Sequence, residues 1–290
     1  MASQPAFRVD PSDPRAPSQE AWDRMTAEER DGVLASLPNE VSIEEMAPEG
    51  DPHRKAKEGP LDALRRFFER TGRKVYLSSE LAVYYPGERR FVPDVLAVLD
   101  AEPHDRMKWV VSAEGKGLDF VLEVHVEGDK AKDHERNVAL YARLGIPEYF
   151  VFDRGRLRLK AFRLRTGARV YDPIVPQAGR YASVALGLDL VLEGDRLRFF
   201  HGTAPLHDAD DLIRKLDEMV DDLLRKREAA EQQREAAEQQ REAAEQQREA
   251  AEQQREAAEQ QREAAEQRAE AAERKLAEAV AELERLKRGL

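Results

Sequence analysis

The sequence predicts an α/β fold, in which helices flank a mixed β-sheet, followed by a long C-terminal α-helix or coiled coil. Helical and strand periodicities alternate between residues 41 and 206, and a seven-residue repeat fills much of the chain after residue 207. Alternating helices and strands are typical of a sheet with helices packed on it, and a sustained heptad is typical of a coiled coil. We therefore predict an N-terminal extension (1–40), a central domain (41–206) and a helical tail (207–290).

The composition excludes several classes of protein. The 290 residues include no cysteine, which rules out disulfides and cysteine-based metal sites. The N-terminus MASQPAFRVDPSD lacks the basic and apolar segments of a signal peptide, and no apolar stretch approaches the roughly 20 residues that cross a bilayer. We expect a soluble, cytoplasmic protein. The net charge of −11 is uneven, at about −8 for residues 1–51, about +5 for 52–206 and about −8 for 207–290, so contact of the central domain with a polyanion is permitted without being indicated.

Local signals place the elements in order. Residues up to about 20 are rich in Pro, Ser and Asp, which predicts disorder, and Thr26 with Glu29 forms a capping-box pattern that starts a short helix ending at Pro38. Two further helices, 56–72 and 131–145, each end at a glycine. The predicted strands are 75–100 with a turn at Pro86-Gly87, 118–126, 148–153, 156–164, 188–194 and 196–202.

The strand in 118-LDFVLEVHVEGDKAKD-133 carries two chemically active side chains. Side chains alternate between strand faces, so Glu123 and His125 share a face. By itself this pattern favours an amphipathic strand with one face in water. Asp94 weakens that interpretation, because it is the one charge in the apolar run 91–99, and a buried carboxylate is costly unless it is paired, hydrogen-bonded or bound to a metal.

Two neighbouring strands that each present one acid would bring Asp94 and Glu123 within a few Å of each other. Oxygen ligands suit Mg²⁺ or Mn²⁺, and a metal so held can orient water against a phosphate ester. Lys130 or Lys132 could activate that water or offset charge on the phosphate. These five residues, His125 included, are the candidate catalytic set, with Asp94 and Glu123 as candidate metal ligands.

The order of these motifs resembles that of a known family. Pro93-Asp94, then 123-EVH-125 after about 28 residues, then 141-YARLGIPEYFVFD-153 resemble the Uma family of restriction endonuclease-like proteins, part of the PD-(D/E)xK nuclease superfamily. The resemblance covers about residues 41–206. It implies a restriction-endonuclease-like, four-stranded mixed sheet flanked by helices, Mg²⁺-dependent hydrolysis of DNA phosphodiesters, and metal binding by Asp94 and Glu123.

The sequence departs from that pattern at two positions. His125 stands where the superfamily usually has lysine, and Asn137 stands where many relatives place a lysine facing the site. Histidine can ligate metal or move a proton but carries no permanent charge, so Lys130 or Lys132 would have to compensate. His53 matches a recurrent histidine of the family, although a capping or solvent-exposed role fits it equally well. A DNA-cutting enzyme is the first hypothesis; a binding module with weakened catalysis and a structural protein built around its rod are the alternatives.

The sequence of the tail predicts a long, rod-like helix. From Arg227 the heptad REAAEQQ repeats five times in full and once truncated. One frame, set by Ile213, Leu216, Val220 and Leu223, puts Arg at each a position and Ala at each d position. Since these residues favour helix, the frame predicts a helix of about 78 residues, on the order of 115 Å. A seam of Arg and Ala buries little apolar surface, so a homodimer would depend on the Leu-containing ends, and a solvated single helix is the alternative.

Overall fold

The computed structural model describes residues 7–39, 50–126 and 135–288. The chain divides into two compact units, Met1–Arg214 and Lys215–Leu290. The helices are α1 (Gln19–Arg24), α2 (Ala27–Ser36), α3 (Asp51–Thr71), α4 (Val111–Glu114), α5 (Asn137–Leu144) and α6 (Ala209–Arg288). In the part of the chain that is described, no helix combines the length and apolar character that a membrane span requires.

The strands form a mixed main sheet and two smaller sheets. The main sheet has the order β1-β3-β5-β6-β7-β8, with β5 and β6 parallel and the other neighbours antiparallel. An antiparallel sheet β12-β11-β10-β9 and a parallel pair β2-β4 complete the set. The strands are β1 (Val75–Ser78), β2 (Ala82–Tyr84), β3 (Val95–Leu99), β4 (Lys108–Val110), β5 (Phe120–His125), β6 (Glu148–Asp153), β7 (Arg158–Arg163), β8 (Asp172–Pro173), β9 (Arg180–Ser183), β10 (Leu188–Glu193), β11 (Arg196–His201) and β12 (Ala204–Pro205).

This architecture confirms the predicted fold class, a mixed sheet with helices and a long C-terminal helix. The main sheet has six described strands rather than the four that the family resemblance implies, because the short edge strands β1 and β8 extend it. The predicted helix ends are also present. Thr26 and Glu29 form the capping box of α2, and Gly72 and Gly145 adopt left-handed conformations after α3 and α5, with φ of 69° and 78°.

Both faces of the main sheet are covered. The apolar side of α3 packs against Phe120 and Leu122 of β5 on one face, and Tyr141 of α5 packs against Val121 on the other. All six residues of β5 are therefore buried. The solvent-exposed strand face that the alternation of polar and apolar residues favours is absent, because α5 and its neighbours cover the side that carries Glu123.

The disorder predicted up to about residue 20 does not extend over residues 7–20, which the structure describes. Residues 7–39 are described, and Ala16, Trp22 and Leu37 are buried in a cluster with side chains of β2 and β4. Arg15 also forms an isolated β-bridge with Arg89. A few apolar side chains in this otherwise polar segment are therefore enough to pack it against β2 and β4. The predicted domain limits at residues 40 and 206 stay predictions.

The tail is a single long helix. α6 has 80 residues, which corresponds to about 120 Å. Within the repeat, Arg227 and Glu231 form an i,i+4 ion pair at 3.3 Å, a contact that stabilises an isolated helix modestly. In the single chain, Leu216 and Leu276 of the predicted seam are 60% and 67% exposed. Self-association through this helix stays a prediction.

Candidate metal and catalytic site

Asp94 and Glu123 lie next to each other. In the antiparallel pair β3–β5, Val95 is opposite Leu122, and the same register continued by one residue puts Asp94 opposite Glu123, on one face. The backbone N–H of Asp94 donates to Oε2 of Glu123 at 3.3 Å, and the backbone N–H of Val124 donates to Oδ2 of Asp94 at 2.7 Å. Each carboxylate is therefore anchored to the backbone of the neighbouring segment.

The Glu123 carboxylate is held from the helix side as well. The Tyr141 hydroxyl of α5 donates to its Oε1 at 2.7 Å, and Nδ2 of Asn137 lies 3.5 Å from the same oxygen. Burial raises the pKa of Tyr141 well above its usual range, and the nearby Glu123 charge raises it further. Tyr141 therefore stays protonated and acts as a permanent donor. The sequence analysis did not assign Tyr141 to the site; its i+4 spacing from Asn137 was the available signal.

His53 of α3 joins the site. Its Nε2 lies 2.8 Å from the carbonyl oxygen of Val124 and 3.4 Å from Oδ2 of Asp94. Because both neighbours are acceptors, Nε2 carries the hydrogen in the neutral ring. The side chain is 16% exposed, and the cap of α3 is Gly50, with no side-chain cap hydrogen bond. His53 is therefore neither the cap of α3 nor fully exposed to solvent, the two ordinary roles that the sequence left open; it lies beside Asp94.

A buried lysine that the sequence analysis missed lies one helical turn further along. Lys57 is 4% exposed and forms an ion pair with Glu80. The backbone N–H of Glu80 donates to the carbonyl of Pro93 at 3.0 Å, which places this pair beside the Pro93-Asp94 dipeptide. Glu80 has a φ of 53°, a left-handed conformation that costs about 1–2 kcal/mol. The signal was present: Lys57 precedes Leu61 by four residues, on the apolar side of α3.

Of the remaining candidate catalytic residues, the structure describes only His125. His125 is 4% exposed, and the β5 alternation puts it on the Glu123 face. Its carbonyl accepts a hydrogen bond from the backbone N–H of Arg154 at 2.7 Å, which ties the β6–β7 turn to the end of β5. Lys130 and Lys132 lie outside the described residues, so the assisting lysine proposed from the sequence has no assigned position.

The donor set bears on which metal would fit. Within residues 7–39, 50–126 and 135–288, no group of three or more His, Cys, Asp or Glu side chains is arranged to hold a metal ion. Two adjacent carboxylates are present instead. Mg²⁺ commonly binds through one or two carboxylates and completes its shell with water and substrate phosphate. Asp94 and Glu123 therefore match, in type and number, the side-chain ligands that Mg²⁺ commonly takes from a protein.

Similarity to known proteins identifies the family of this chain. A crystal structure described as that of "a putative nuclease belonging to DUF820 from Anabaena variabilis ATCC 29413" is similar to this chain, with a TM-score of 0.39 and 12% sequence identity over 49% of this chain and 76% of the other. No curated protein matches the chain. Residues 21–193 match the Uma2 family, whose description is "Putative restriction endonuclease". Because this match extends over more than half of the sequence, the chain belongs to the Uma2 family.

Proposed function

We propose that this protein is an Mg²⁺-dependent endonuclease that hydrolyses DNA phosphodiester bonds in the cytoplasm. The observation that carries the proposal is the anchored pair of carboxylates, Asp94 and Glu123. Two like charges this close repel each other unless a cation lies between them. A nuclease mechanism with these acids as metal ligands belongs to the PD-(D/E)xK pattern that the sequence resembles.

In this mechanism Asp94 and Glu123 would hold the metal, which would supply Lewis-acid stabilisation of the phosphate and a more acidic bound water. The Tyr141 hydroxyl fixes the Glu123 carboxylate, and the Val124 amide fixes that of Asp94. The His53 Nε2–H lies against the Asp94 carboxylate and limits its rotation. His125, with Lys130 or Lys132, would assist proton transfer or neutralise the phosphate.

The test is plasmid cleavage by the purified full-length chain with Mg²⁺. Asp94→Asn and Glu123→Gln should each lower the cleavage rate at least about a hundredfold, since metal stabilisation contributes several kcal/mol. Asp119→Asn is the matched control, because Asp119 lies on the same face near the other end of β5 and bonds to the Leu99 amide at 2.7 Å. Cleavage that survives both site substitutions would refute the assignment of these residues.

A catalytically weakened DNA-binding module is the second candidate. The observation that favours it is the absence of a lysine at positions 125 and 137, where His125 and Asn137 are both buried and neither carries a permanent charge. Calorimetric titration with Mg²⁺ and Mn²⁺, run beside the cleavage assay, separates the two candidates. Metal binding that is lost in Glu123→Gln, together with no cleavage of any DNA substrate, would establish the module and exclude the enzyme.

A further inference from the structure

A row of cations lies on β7, on the same sheet face as the acidic pair. The strand register pairs Glu123 with Val151 and Val151 with Lys160. It likewise pairs His125 with Asp153 and Asp153 with Arg158. Since directly paired residues share a face, Lys160 and Arg158 face the same side as the catalytic candidates. Each is two strands away, about 10 Å between Cα atoms.

The packing of β7 confirms this orientation. Leu159, between the two cations, is buried in the core cluster on the α3 side. Phe162 is two residues from Lys160 and therefore on the same face, and it packs on the α5 side with Tyr149 and Val151. Arg158 and Lys160 themselves are exposed. The sheet face that is covered by α5 at one end is therefore open and positively charged at the β7 edge.

Arg156 extends the row towards the site. It lies in the turn between β6 and β7, and it lines a small cavity of about 80 Å³ together with Arg158 and Lys160. The turn is bonded to the end of β5 through the Arg154 N–H and the His125 carbonyl, at 2.7 Å. The cations thus continue from the sheet edge towards the strand end that follows Glu123.

These three cations differ from neighbouring arginines in their partners. Arg154 pairs with Asp195 at 2.6 Å, and Arg163, at the other end of β7, pairs with Glu148 at 2.9 Å. By contrast, none of the side chains of Arg156, Arg158 and Lys160 forms an ion pair with a carboxylate of the described residues. Like charges about 7 Å apart on one strand repel each other, and a bound polyanion would relieve that repulsion.

We infer that Arg156, Arg158 and Lys160 form a track that contacts DNA phosphates beside the acidic pair. The inference rests on the proposed function, because it identifies the surface that would hold the substrate while the carboxylates act on it. Phosphate contacts of this kind position the duplex and carry no sequence information. The track therefore predicts strongly salt-dependent DNA binding with little dependence on sequence.

The test is fluorescence anisotropy of a labelled duplex DNA with the full-length chain in EDTA, so that binding is measured without cleavage, across a series of NaCl concentrations. The track variant combines Arg156→Gln, Arg158→Gln and Lys160→Gln. The control variant combines Arg65→Gln, Arg66→Gln and Arg70→Gln, which removes the same charge from exposed positions of α3, on the opposite face of the sheet.

The track variant should raise the Kd at 100 mM NaCl at least about tenfold, and the salt slope of log K should fall by up to about 2.7, or 0.9 for each phosphate contact. The control variant should change the Kd less than about threefold. Equal weakening in both variants, unchanged binding in the track variant, or no DNA binding by the unmodified chain would each overturn the inference. DNA binding that depends on the track in a chain that cleaves no DNA would leave the inference intact and reject the nuclease proposal.

Discussion

Tyr141→Phe tests whether Glu123 is held as a charged acceptor in the folded protein. The substitution removes only the hydroxyl that donates to Glu123 Oε1 at 2.7 Å, and it keeps the ring, which is 1% exposed. A hydrogen bond to a charged group contributes about 1.5–3 kcal/mol net. Because Glu123 keeps its contact with the Asp94 amide, we expect a loss of about 2 kcal/mol in the free energy of unfolding.

Tyr171→Phe is the matched control. The Tyr171 hydroxyl is also buried and also donates at 2.7 Å, but its acceptor is the neutral backbone carbonyl of Ile146. A neutral hydrogen bond contributes about 0.5–1.5 kcal/mol, so this variant should lose about 1 kcal/mol. DNA cleavage should fall in Tyr141→Phe, whose carboxylate is less well fixed, and should be unchanged in Tyr171→Phe.

Urea unfolding followed by tryptophan fluorescence measures both losses. The chain has two tryptophans, Trp22 and Trp109, which are 5% and 1% exposed and belong to the first unit. Melting of the repeat helix is therefore silent in this signal. If Tyr141→Phe costs no more than Tyr171→Phe, Glu123 does not accept this hydrogen bond as a carboxylate, and the proposed support of the site is wrong.

Three other predictions concern stability and assembly. Gly155→Ala should lower the free energy of unfolding by about 1–3 kcal/mol, because its Cβ would lie 2.6 Å from a carbonyl oxygen just after β5. The control is Gly32→Ala, whose Cβ meets nothing within 4 Å and which should be neutral or slightly stabilising. Equal effects of the two substitutions on stability would contradict this packing. The hydrogen bond from Arg198 lowers the pKa of Asp211 from 3.8 to about 2. Since the folded pKa is the lower one, Asp211 should contribute about 2 kcal/mol above pH 5, roughly half of that at pH 3, and nothing below the folded pKa. Urea unfolding of Asp211→Asn and of the wild type across this pH range tests the prediction. A difference in free energy of unfolding between the two proteins that stays constant down to pH 3 would refute it. Sedimentation of the full chain should reveal a dimer that Leu276→Lys dissociates; a wild-type monomer at all concentrations would instead establish the solvated single helix.

The sequence was sufficient where local periodicity decides the outcome. The alternation along β5 and the isolated charge at Asp94 together predicted that two acids on neighbouring strands would meet, and the register brings Asp94 opposite Glu123. The ends of α3 and α5 followed from Gly72 and Gly145, because only glycine adopts the required left-handed conformation without strain. These features depend on residues close in sequence or on a single strand pairing.

Features that depend on how α3 packs on the sheet were not predictable in the same way. His53 reaches the Val124 carbonyl across 71 positions of sequence, and nothing local to either residue specifies that approach. Lys57 was overlooked for a related reason, since a lysine in a helix is usually solvent-exposed. Its burial depends on Glu80, whose left-handed backbone conformation is itself stabilised through the Pro93 carbonyl.

The charges of the residues around Asp94 and Glu123 determine which side chains could neutralise a bound phosphate. Lys57 forms an ion pair with Glu80, so this lysine adds little net positive charge beside Asp94. Asp94 and Glu123 contribute about two negative charges, which one Mg²⁺ would balance. If DNA binds as proposed, its phosphates would need cations outside this group, such as those of the β7 row. In this proposal the β7 row would supply the positive charge that His125 and Asn137 do not, which would make the row and the acidic pair parts of one functional surface.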